Sequence, residues 1–231
     1  MYYASPFVQQ ESQSRRRRFR GLNISLRIAR EGFPYILAPA LLSIILLAVG
    51  YWYVAIPFML LAAFMTYFFR DPKRDPPDDP SAIVAPADGR VTRVSQLVPG
   101  REDSSTLISI FLSPLDVHIN RSPIAGKITD VSYTKGKFLM ATDEKASLVN
   151  EQNALTIEGS RITIVCKQIA GILARRIICW KHEGEVVALG ERFGLIKFSS
   201  RTDVIVPESV EVLVTPGVRV RGGTTVIGRL K

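Results

Sequence analysis

The amino-acid sequence predicts a mainly β domain preceded by a hydrophobic helical hairpin, and three observations support this prediction. A stretch of 37 residues without any charged side chain runs from residue 33 to residue 69. From Ile83 onward, short runs rich in Val, Ile and Thr are separated by Gly and Pro, which is typical of many short strands. Within that region two sequence patterns each occur twice, and this indicates an internal duplication.

The first 32 residues form a basic segment that we expect to be partly disordered. They are rich in Gln and Ser and contain the arginine run Arg15–Arg18. The chain has a formal net charge of +9, of which residues 1–74 contribute +7. The rest of the chain is therefore nearly neutral, which argues against a broad nucleic-acid surface.

Residues 33–69 are predicted to form a membrane hairpin. As a single helix the stretch would be about 55 Å long, whereas the hydrocarbon core of a bilayer is about 30 Å thick. Two shorter spans with a turn near residues 50–53 fit better, because the aromatic side chains there suit a bilayer interface. Basic residues flank both ends, so we expect both ends, and the domain that follows, on the cytoplasmic side of the cell membrane. A buried hairpin of a soluble protein is the alternative.

Residues 70–81, rich in Pro and Asp, predict a linker, and residues 82–231 predict the β-rich domain. Cys166 and Cys179 lie in apolar runs without CxxC spacing, as reduced and packed cysteines of a cytoplasmic domain do. The chain contains two histidines, which excludes a His-rich metal site, and no metal is expected.

The β domain contains two repeated patterns. Residues 86–94 and 123–131 share the form P-x-x-G-[RK]-[VI]-T-x-V, and residues 184–190 and 217–223 share the form G-x-x-V-x-x-G. Glycines at such turns predict positive φ angles. The two halves together resemble the barrel-sandwich hybrid fold of biotinyl and lipoyl domains, in a duplicated form.

Two polar residues near these repeats are candidates for chemistry. Where the first repeat has Asp88, the second has Ala125, so the turn itself does not require a carboxylate. Asp88 is either a turn-stabilising residue or a functional one. His118 shares one face of an alternating run with Asp116 and Asn120, and a satisfied structural histidine is its alternative interpretation.

Ser199 and Ser200 lie between two apolar, strand-like runs. Serine favours turns between strands, so a simple turn is one interpretation of the pair. The other interpretation is a catalytic serine, and it requires that the turns of the two repeats approach one another in a duplicated β fold. Asp88, His118 and a serine would then form a carboxylate–imidazole–hydroxyl set that can activate the hydroxyl.

Five sequence blocks, in order, resemble the short bacterial and archaeal form of phosphatidylserine decarboxylase. They are FFRDPKR, APADGRV, SPLDVHINRSPIAGKI, KGKFLMATDEKAS and GERFGLIKFSSRTDV, and the match covers about residues 33–215. The resemblance implies a pyruvoyl-dependent carboxy-lyase of phospholipid biosynthesis, made as a zymogen. It would convert phosphatidylserine into phosphatidylethanolamine, with membrane lipid as its other partner.

The resemblance also implies that the chain cuts itself between Ser199 and Ser200. The Ser200 hydroxyl would attack the Ser199 carbonyl, and elimination would leave chains 1–199 and 200–231 as a heterodimer. The pyruvoyl cofactor would derive from Ser200, form a Schiff base with the substrate amine, and accept electrons as carbon dioxide leaves.

Further roles follow from the same resemblance. Asp88 would orient His118, and His118 would take the proton from Ser200 and later return a proton to the substrate. Arg121 would bind the substrate phosphate, with a solvated surface arginine as the alternative. The chain departs from the family twice: Ser199 replaces the usual glycine, which predicts slower cutting, and Arg121 replaces a second histidine of the longer form. His118 would then serve both cleavage and protonation.

Two rival interpretations stay open. One is a membrane-anchored barrel-sandwich adaptor or prosthetic-group carrier, and the other is a proenzyme that folds but never cuts. A carrier of biotin or lipoate needs an exposed lysine at a hairpin tip, and no Met-Lys dipeptide occurs at either repeat. Homo-oligomerisation is left open by the sequence.

Overall fold

The computed structural model describes residues 27–98, 104–140, 146–172, 176–198 and 200–231. The helices in this part are α1 (Phe33–Ala48), α2 (Trp52–Phe68) and α3 (Ala146–Val149), with a 3-10 turn at Arg30–Gly32. The strands are β1 (Ala82–Val84), β2 (Gly89–Gln96), β3 (Thr106–Leu112), β4 (Ile119–Arg121), β5 (Gly126–Thr134), β6 (Gln152–Glu158), β7 (Thr163–Ala170), β8 (Ile177–Cys179), β9 (Val186–Val187), β10 (Arg192–Ile196), β11 (Ser200–Val206), β12 (Val210–Val212), β13 (Arg219–Val220) and β14 (Val226–Leu230).

Helices α1 and α2 pack against each other as a hairpin. Pro34 lies in the first turn of α1, where its missing N–H costs no helical hydrogen bond. Gly50, in the connection, has a φ of 86°, a conformation that glycine adopts without strain. The buried Ser43 hydroxyl donates a 2.9 Å hydrogen bond to the Ala55 carbonyl and so links the two helices.

The hairpin exposes its apolar side chains. Leu37, Ile44 and Leu60 are each more than 60% exposed, which a helix pair in a soluble core would not show. By length and composition, one helix of the described chain could cross a membrane: residues 30–48, with a mean hydropathy of 1.8. Helix α2 is equally apolar in character but has 17 residues. These features indicate membrane association.

Two short segments close the base of the hairpin, and we call residues 27–29 and 69–71 the neck. Ile28 and Arg70 form an antiparallel bridge. The Ala29 N–H donates to the Phe69 carbonyl at 2.9 Å, and the Asp71 N–H donates to the Arg27 carbonyl at 2.7 Å. The membrane helices therefore leave the β domain through a hydrogen-bonded junction, not through two free tethers.

The β domain consists of one large sheet and two small ones. The large sheet has the order β13-β2-β3-β11-β7-β6-β5-β9, and the small sheets have the orders β1-β14-β12 and β4-β10-β8. The two repeats occupy equivalent places, because β2 pairs with the edge strand β13 and β5 pairs with the edge strand β9. All four glycines of the G-x-x-V-x-x-G pattern have positive φ, between 71° and 98°.

The predicted mainly β fold is thus confirmed. The matching strand order supports the duplication, while the likeness to a barrel-sandwich hybrid stays a prediction. The arginine run Arg15–Arg18 lies outside the described residues, as does Ser199 of the predicted cleavage site. Cys166 is buried and Cys179 half-buried, and both are free thiols.

Two hydrophobic clusters organise the molecule. The main core joins the large sheet to β1, β12 and β14, with Ile110, Leu155 and Ile227 completely buried. A second cluster joins the base of the hairpin to the small sheet β4-β10-β8, and Phe68 and Leu195 are completely buried in it. The hairpin is therefore packed against the sheet that leads directly to Ser200.

Candidate active site

His118 lies immediately before β4, beneath the end of the membrane hairpin. Its side chain is 1% exposed. The ring of Phe68, the last residue of α2, lies 4.2 Å from the imidazole between centroids, at an angle of 34°. The His118 carbonyl accepts a 3.4 Å hydrogen bond from the Ile196 N–H, which ties it to the strand that precedes the serine pair.

The protonation state of His118 follows from its contacts. Nδ1 lies 3.0 Å from the Asp116 carbonyl oxygen. A carbonyl can only accept, so Nδ1 carries the proton, and in a neutral ring Nε2 then holds the free lone pair. Burial lowers the pKa of His118 to about 4, so the ring is neutral at pH 7. Nε2 is buried without a hydrogen-bond partner, which leaves a base with its accepting atom free.

Ser200 is the first residue of β11, at the centre of the large sheet. It pairs with Leu112 of β3 on one side and with Ala170 of β7 on the other. Its side chain is completely buried, and its hydroxyl oxygen has no hydrogen-bond partner. A buried hydroxyl without a partner is costly in a packed domain, so it calls for a chemical explanation.

A buried polar chain holds β4 against β11 close to these two residues. The Asn120 amide donates to the Thr202 hydroxyl at 2.9 Å, and Gln168 donates to the Asn120 side-chain oxygen at 2.9 Å. Asn120 and Thr202 follow His118 and Ser200 by two residues each, and in an extended chain such pairs share a face. The network therefore fixes the strand faces on which the imidazole and the hydroxyl lie.

The backbone is strained next to the serine pair. Phe198 has a φ of 60°, the only positive φ among the non-glycine residues that the structure describes. This conformation costs roughly 1–2 kcal/mol for a residue with a side chain. Packing holds it in place, because the Phe198 ring lies 4.7 Å from that of Phe68 between centroids and 6.1 Å from that of Tyr35.

Asp88 does not bind His118 in this structure. Its carboxylate accepts a 2.7 Å hydrogen bond from Arg74 and a 2.8 Å hydrogen bond from the Gly222 N–H. Burial raises the pKa of Asp88. In the first repeat the Asp88 carboxylate holds Arg74 and the turn at Gly222. Its role therefore goes beyond the turn that it shares with Ala125 of the second repeat. The predicted orienting contact to His118 is made here by the Asp116 carbonyl.

Arg121 lies on the opposite face of β4 from Asn120 and is 7% exposed. Its guanidinium donates to Asp71 at 3.1 Å, to the Pro72 carbonyl at 3.0 Å and to the Gly190 carbonyl at 3.1 Å. These protein acceptors occupy both terminal nitrogens of Arg121. The geometry gives Arg121 a structural role at the neck, and its role in binding the substrate phosphate stays a prediction.

Sequence reasoning missed several residues of this site. Nothing in the sequence indicated that Phe68 covers His118, or that Phe198 has a positive φ. The alternation of Asp116, His118 and Asn120 was a usable signal, since it placed Asn120 on the face where it now bonds to β11. His182 is exposed, and its ion-pair partner is Glu185, which is not one of the site residues described above.

Comparison with known proteins gives one consistent result. A family model described as Phosphatidylserine decarboxylase matches residues 61–228. A protein of Solibacter usitatus named phosphatidylserine decarboxylase proenzyme is 50% identical over 175 residues, covering 76% of this chain and 83% of the relative. Proteins of the same name from Symbiobacterium thermophilum and Geotalea uraniireducens are 47% and 39% identical, over 88% and 90% of this chain and 95% and 99% of their own length.

The site and the comparisons point to the same class, an enzyme made as a precursor. This chain belongs to the phosphatidylserine decarboxylase family. The family resemblance that the five sequence blocks predicted is thereby confirmed.

Proposed function

We propose that this protein decarboxylates phosphatidylserine to phosphatidylethanolamine, with a pyruvoyl group that it makes from its own Ser200. The names of its relatives support the substrate and the precursor state. One structural observation supports the chemistry most directly. His118 has a free Nε2 and Ser200 has a buried hydroxyl without a partner, and the residues two positions after them, Asn120 and Thr202, are hydrogen-bonded at 2.9 Å.

Maturation begins at the Ser200 hydroxyl. His118 accepts its proton, and the oxygen attacks the Ser199 carbonyl carbon, so that a C–O bond forms and the peptide C–N bond breaks. The proton passes to the amine nitrogen of residue 200. Removal of the Ser200 α-proton then expels the carboxylate of Ser199, which keeps the former hydroxyl oxygen, and yields chains 1–199 and 200–231 with dehydroalanine at residue 200. Tautomerisation to an imine and hydrolysis by one water, with loss of ammonia, leave the pyruvoyl group. The positive φ of Phe198 favours the cut, because the strain is released when the backbone breaks.

The residues present fit the group that the family name implies. The Ser200 hydroxyl is completely buried and has no partner, so bulk water does not compete with the base for its proton. When formed, the group supplies a carbonyl that withdraws electrons from the substrate Cα as carbon dioxide leaves. Ladders to β3 and β7 hold the first residue of the small chain in position.

The other residues of the site prepare it for a lipid substrate. Phe68 and Phe198 exclude water from the space beside His118, which disfavours a charged carboxylate relative to neutral carbon dioxide. In this proposal His118 returns a proton to the substrate, and Asp88 supports the site indirectly by holding Arg74 and Gly222. The exposed apolar hairpin keeps this end of the domain at the cytoplasmic surface of the cell membrane.

The test is a comparison of the full-length protein with Ser200→Ala, both purified in detergent. We expect the wild type to give two chains on a denaturing gel, with a blocked amino end at residue 200, and to release carbon dioxide from phosphatidylserine. Ser200→Ala should stay folded, inactive and intact at 25.7 kDa. The exposed Ser160 provides the matched control, since Ser160→Ala should behave as wild type. An intact, inactive wild-type chain would favour the adaptor or the uncut proenzyme instead.

A further inference from the structure

Lys197 is a buried cation at the end of β10, three residues before Ser200. Its side chain and backbone together are 8% exposed. The Lys197 N–H donates to the Arg176 carbonyl at 3.2 Å, which fixes the backbone beside the serine pair. The mechanism above leaves this ammonium group without a role.

The ammonium group has an aromatic neighbour but no carboxylate. Nζ lies 4.7 Å from the centroid of the Tyr35 ring and 3.4 Å from the Tyr35 hydroxyl. The described residues include two other buried cations: Arg121 is paired with Asp71, and Arg201 with Asp203. Lys197 differs from both in this part of the chain, because no Asp or Glu lies within ion-pair distance of it. A buried charge without a counter-charge is costly, so the site is built to receive an anion.

The position of Lys197 indicates where that anion comes from. Tyr35 lies in the first turn of α1 and stacks on Phe69 at the base of the hairpin. The Tyr35 ring also contacts the Phe198 ring, and Phe198 and His118 both pack on Phe68. The ammonium group therefore borders the aromatic cluster that covers the candidate base, at the level where the membrane helices enter the domain.

We propose that Lys197 binds the phosphate of the phospholipid head group, an inference that rests on the function proposed above. The head group offers two anions, a carboxylate and a phosphodiester. The carboxylate loses its charge as it leaves, so a cation paired with it would stabilise the starting state and slow the reaction. The phosphodiester keeps its charge throughout, and lysine binds phosphate as a point charge without raising this barrier.

This assignment predicts a specific kinetic pattern. Contacts that are equal in the ground and transition states affect KM and leave kcat unchanged. Lys197→Met should therefore raise KM for short-chain phosphatidylserine by about tenfold to a hundredfold, the usual range for one charge-assisted bond. The kcat per cleaved chain should stay close to that of the wild type, and Lys197→Arg should restore most of the KM.

Binding to uncut protein separates this role from effects on maturation. The full-length Ser200→Ala protein, with and without Lys197→Met, is titrated with three probes: dihexanoyl phosphatidylethanolamine, dihexanoylglycerol and inorganic phosphate. We expect the second substitution to weaken binding of the phosphatidylethanolamine by at least tenfold and to leave the uncharged glyceride unaffected. Inorganic phosphate alone should bind far more weakly than the lipid. Lys127→Met, which removes an exposed lysine of β5, is the matched control.

Several outcomes would overturn the assignment. They are an unchanged KM in Lys197→Met, a loss confined to kcat, equal weakening of glyceride binding, or Lys197-dependent binding of free phosphate as tight as that of the lipid. Failure of the proposed function looks different, because a cleaved wild type would then release no carbon dioxide from phosphatidylserine. The binding experiment tests Lys197 in either case.

Discussion

The ring of Phe68 lies against the imidazole of His118, with 4.2 Å between their centroids. Phe68 ends the second apolar helix, and His118 lies immediately before the strand that carries the buried polar network. The contact contributes to the burial of the imidazole, and that burial lowers its pKa and keeps the ring neutral at pH 7. The last residue of the apolar hairpin thus helps to determine the protonation state of the candidate base in the β domain.

The low pKa of His118 predicts a pH dependence of stability. Its pKa in the folded state is about 4, below the ordinary value of 6.5. Between these values the unfolded chain binds a proton that the folded chain does not, so the free energy of unfolding should fall as the pH drops from 6.5 towards 4. The full effect is up to about 3 kcal/mol. Urea unfolding in detergent at several pH values measures it.

Two variants make that measurement specific to His118. In His118→Phe this part of the pH dependence should vanish, while His182→Phe, which alters an exposed residue, should retain it. Asp88 and Asp203 have raised pKa values, so their contribution to the free energy of unfolding grows as the pH drops, opposite to that of His118. This contribution is the same in the wild type and in both variants. A His118→Phe profile that matches the wild type would exclude the assigned protonation state.

Strain at Phe198 should contribute to the rate of self-cleavage. Glycine accepts a φ of 60° without cost, so Phe198→Gly removes the stored strain of roughly 1–2 kcal/mol. We expect cleavage to slow by about five- to thirtyfold if all of the strain is released in the rate-limiting step. Phe198→Leu keeps the strained conformation while losing the ring contacts, and it should cut faster than Phe198→Gly. A time course on denaturing gels decides between them, and equal rates would assign the effect to packing.

Replacement of Ser199 by glycine should accelerate maturation severalfold. Glycine removes the side chain beside the attacked carbonyl and widens the accessible backbone conformations. The cut should stay between residues 199 and 200, which mass spectrometry of the new carboxyl end can verify. Ser199→Val, with a branched side chain at the same position, should slow the cut. Equal cleavage rates for glycine, serine and valine at position 199 would contradict this explanation.

The neck depends on Asp71. Its carboxylate is ion-paired with both Arg121 and Arg192 and is almost completely buried. Asp71→Asn leaves the buried Arg121 without its counter-charge and should destabilise the protein by about 3–5 kcal/mol. Asp75→Asn breaks an exposed pair with Lys73 and should cost less than about 1 kcal/mol. Denaturant unfolding of both variants tests the contrast, and similar losses would refute the role of Asp71.

Local features of this fold could be predicted from the sequence because single residues determine them. The β-branched runs specify strands, and the four glycines of the repeated turns specify a backbone that other residues rarely adopt. The uncharged stretch specifies an apolar hairpin in the same way. His118 and Ser200 could be selected as candidates because few residue types support such chemistry.

Partnerships between distant segments could not be predicted. The sequence did not show that Arg74 binds Asp88, or that Asp71 binds an arginine 50 residues away. These pairs depend on how the neck packs against the domain, which no local pattern encodes. For the same reason the sequence indicated Arg121 as a phosphate ligand but did not indicate Lys197, the buried cation of the described residues whose side-chain partner is Tyr35 and not a carboxylate.

The central position of β11 has a consequence for the lifetime of the protein. Strand β11 is hydrogen-bonded along its length to β3 on one side and to β7 on the other, so we expect the C-terminal piece to stay in place after the proposed cut. Refolding of the cut protein then requires two molecules to meet, whereas the precursor folds as one. The melting temperature of the mature form should therefore vary with its concentration, and that of Ser200→Ala should not. With the proposed cut, the uncut precursor would be the only form of this protein that folds as a single molecule, so folding would have to precede activation.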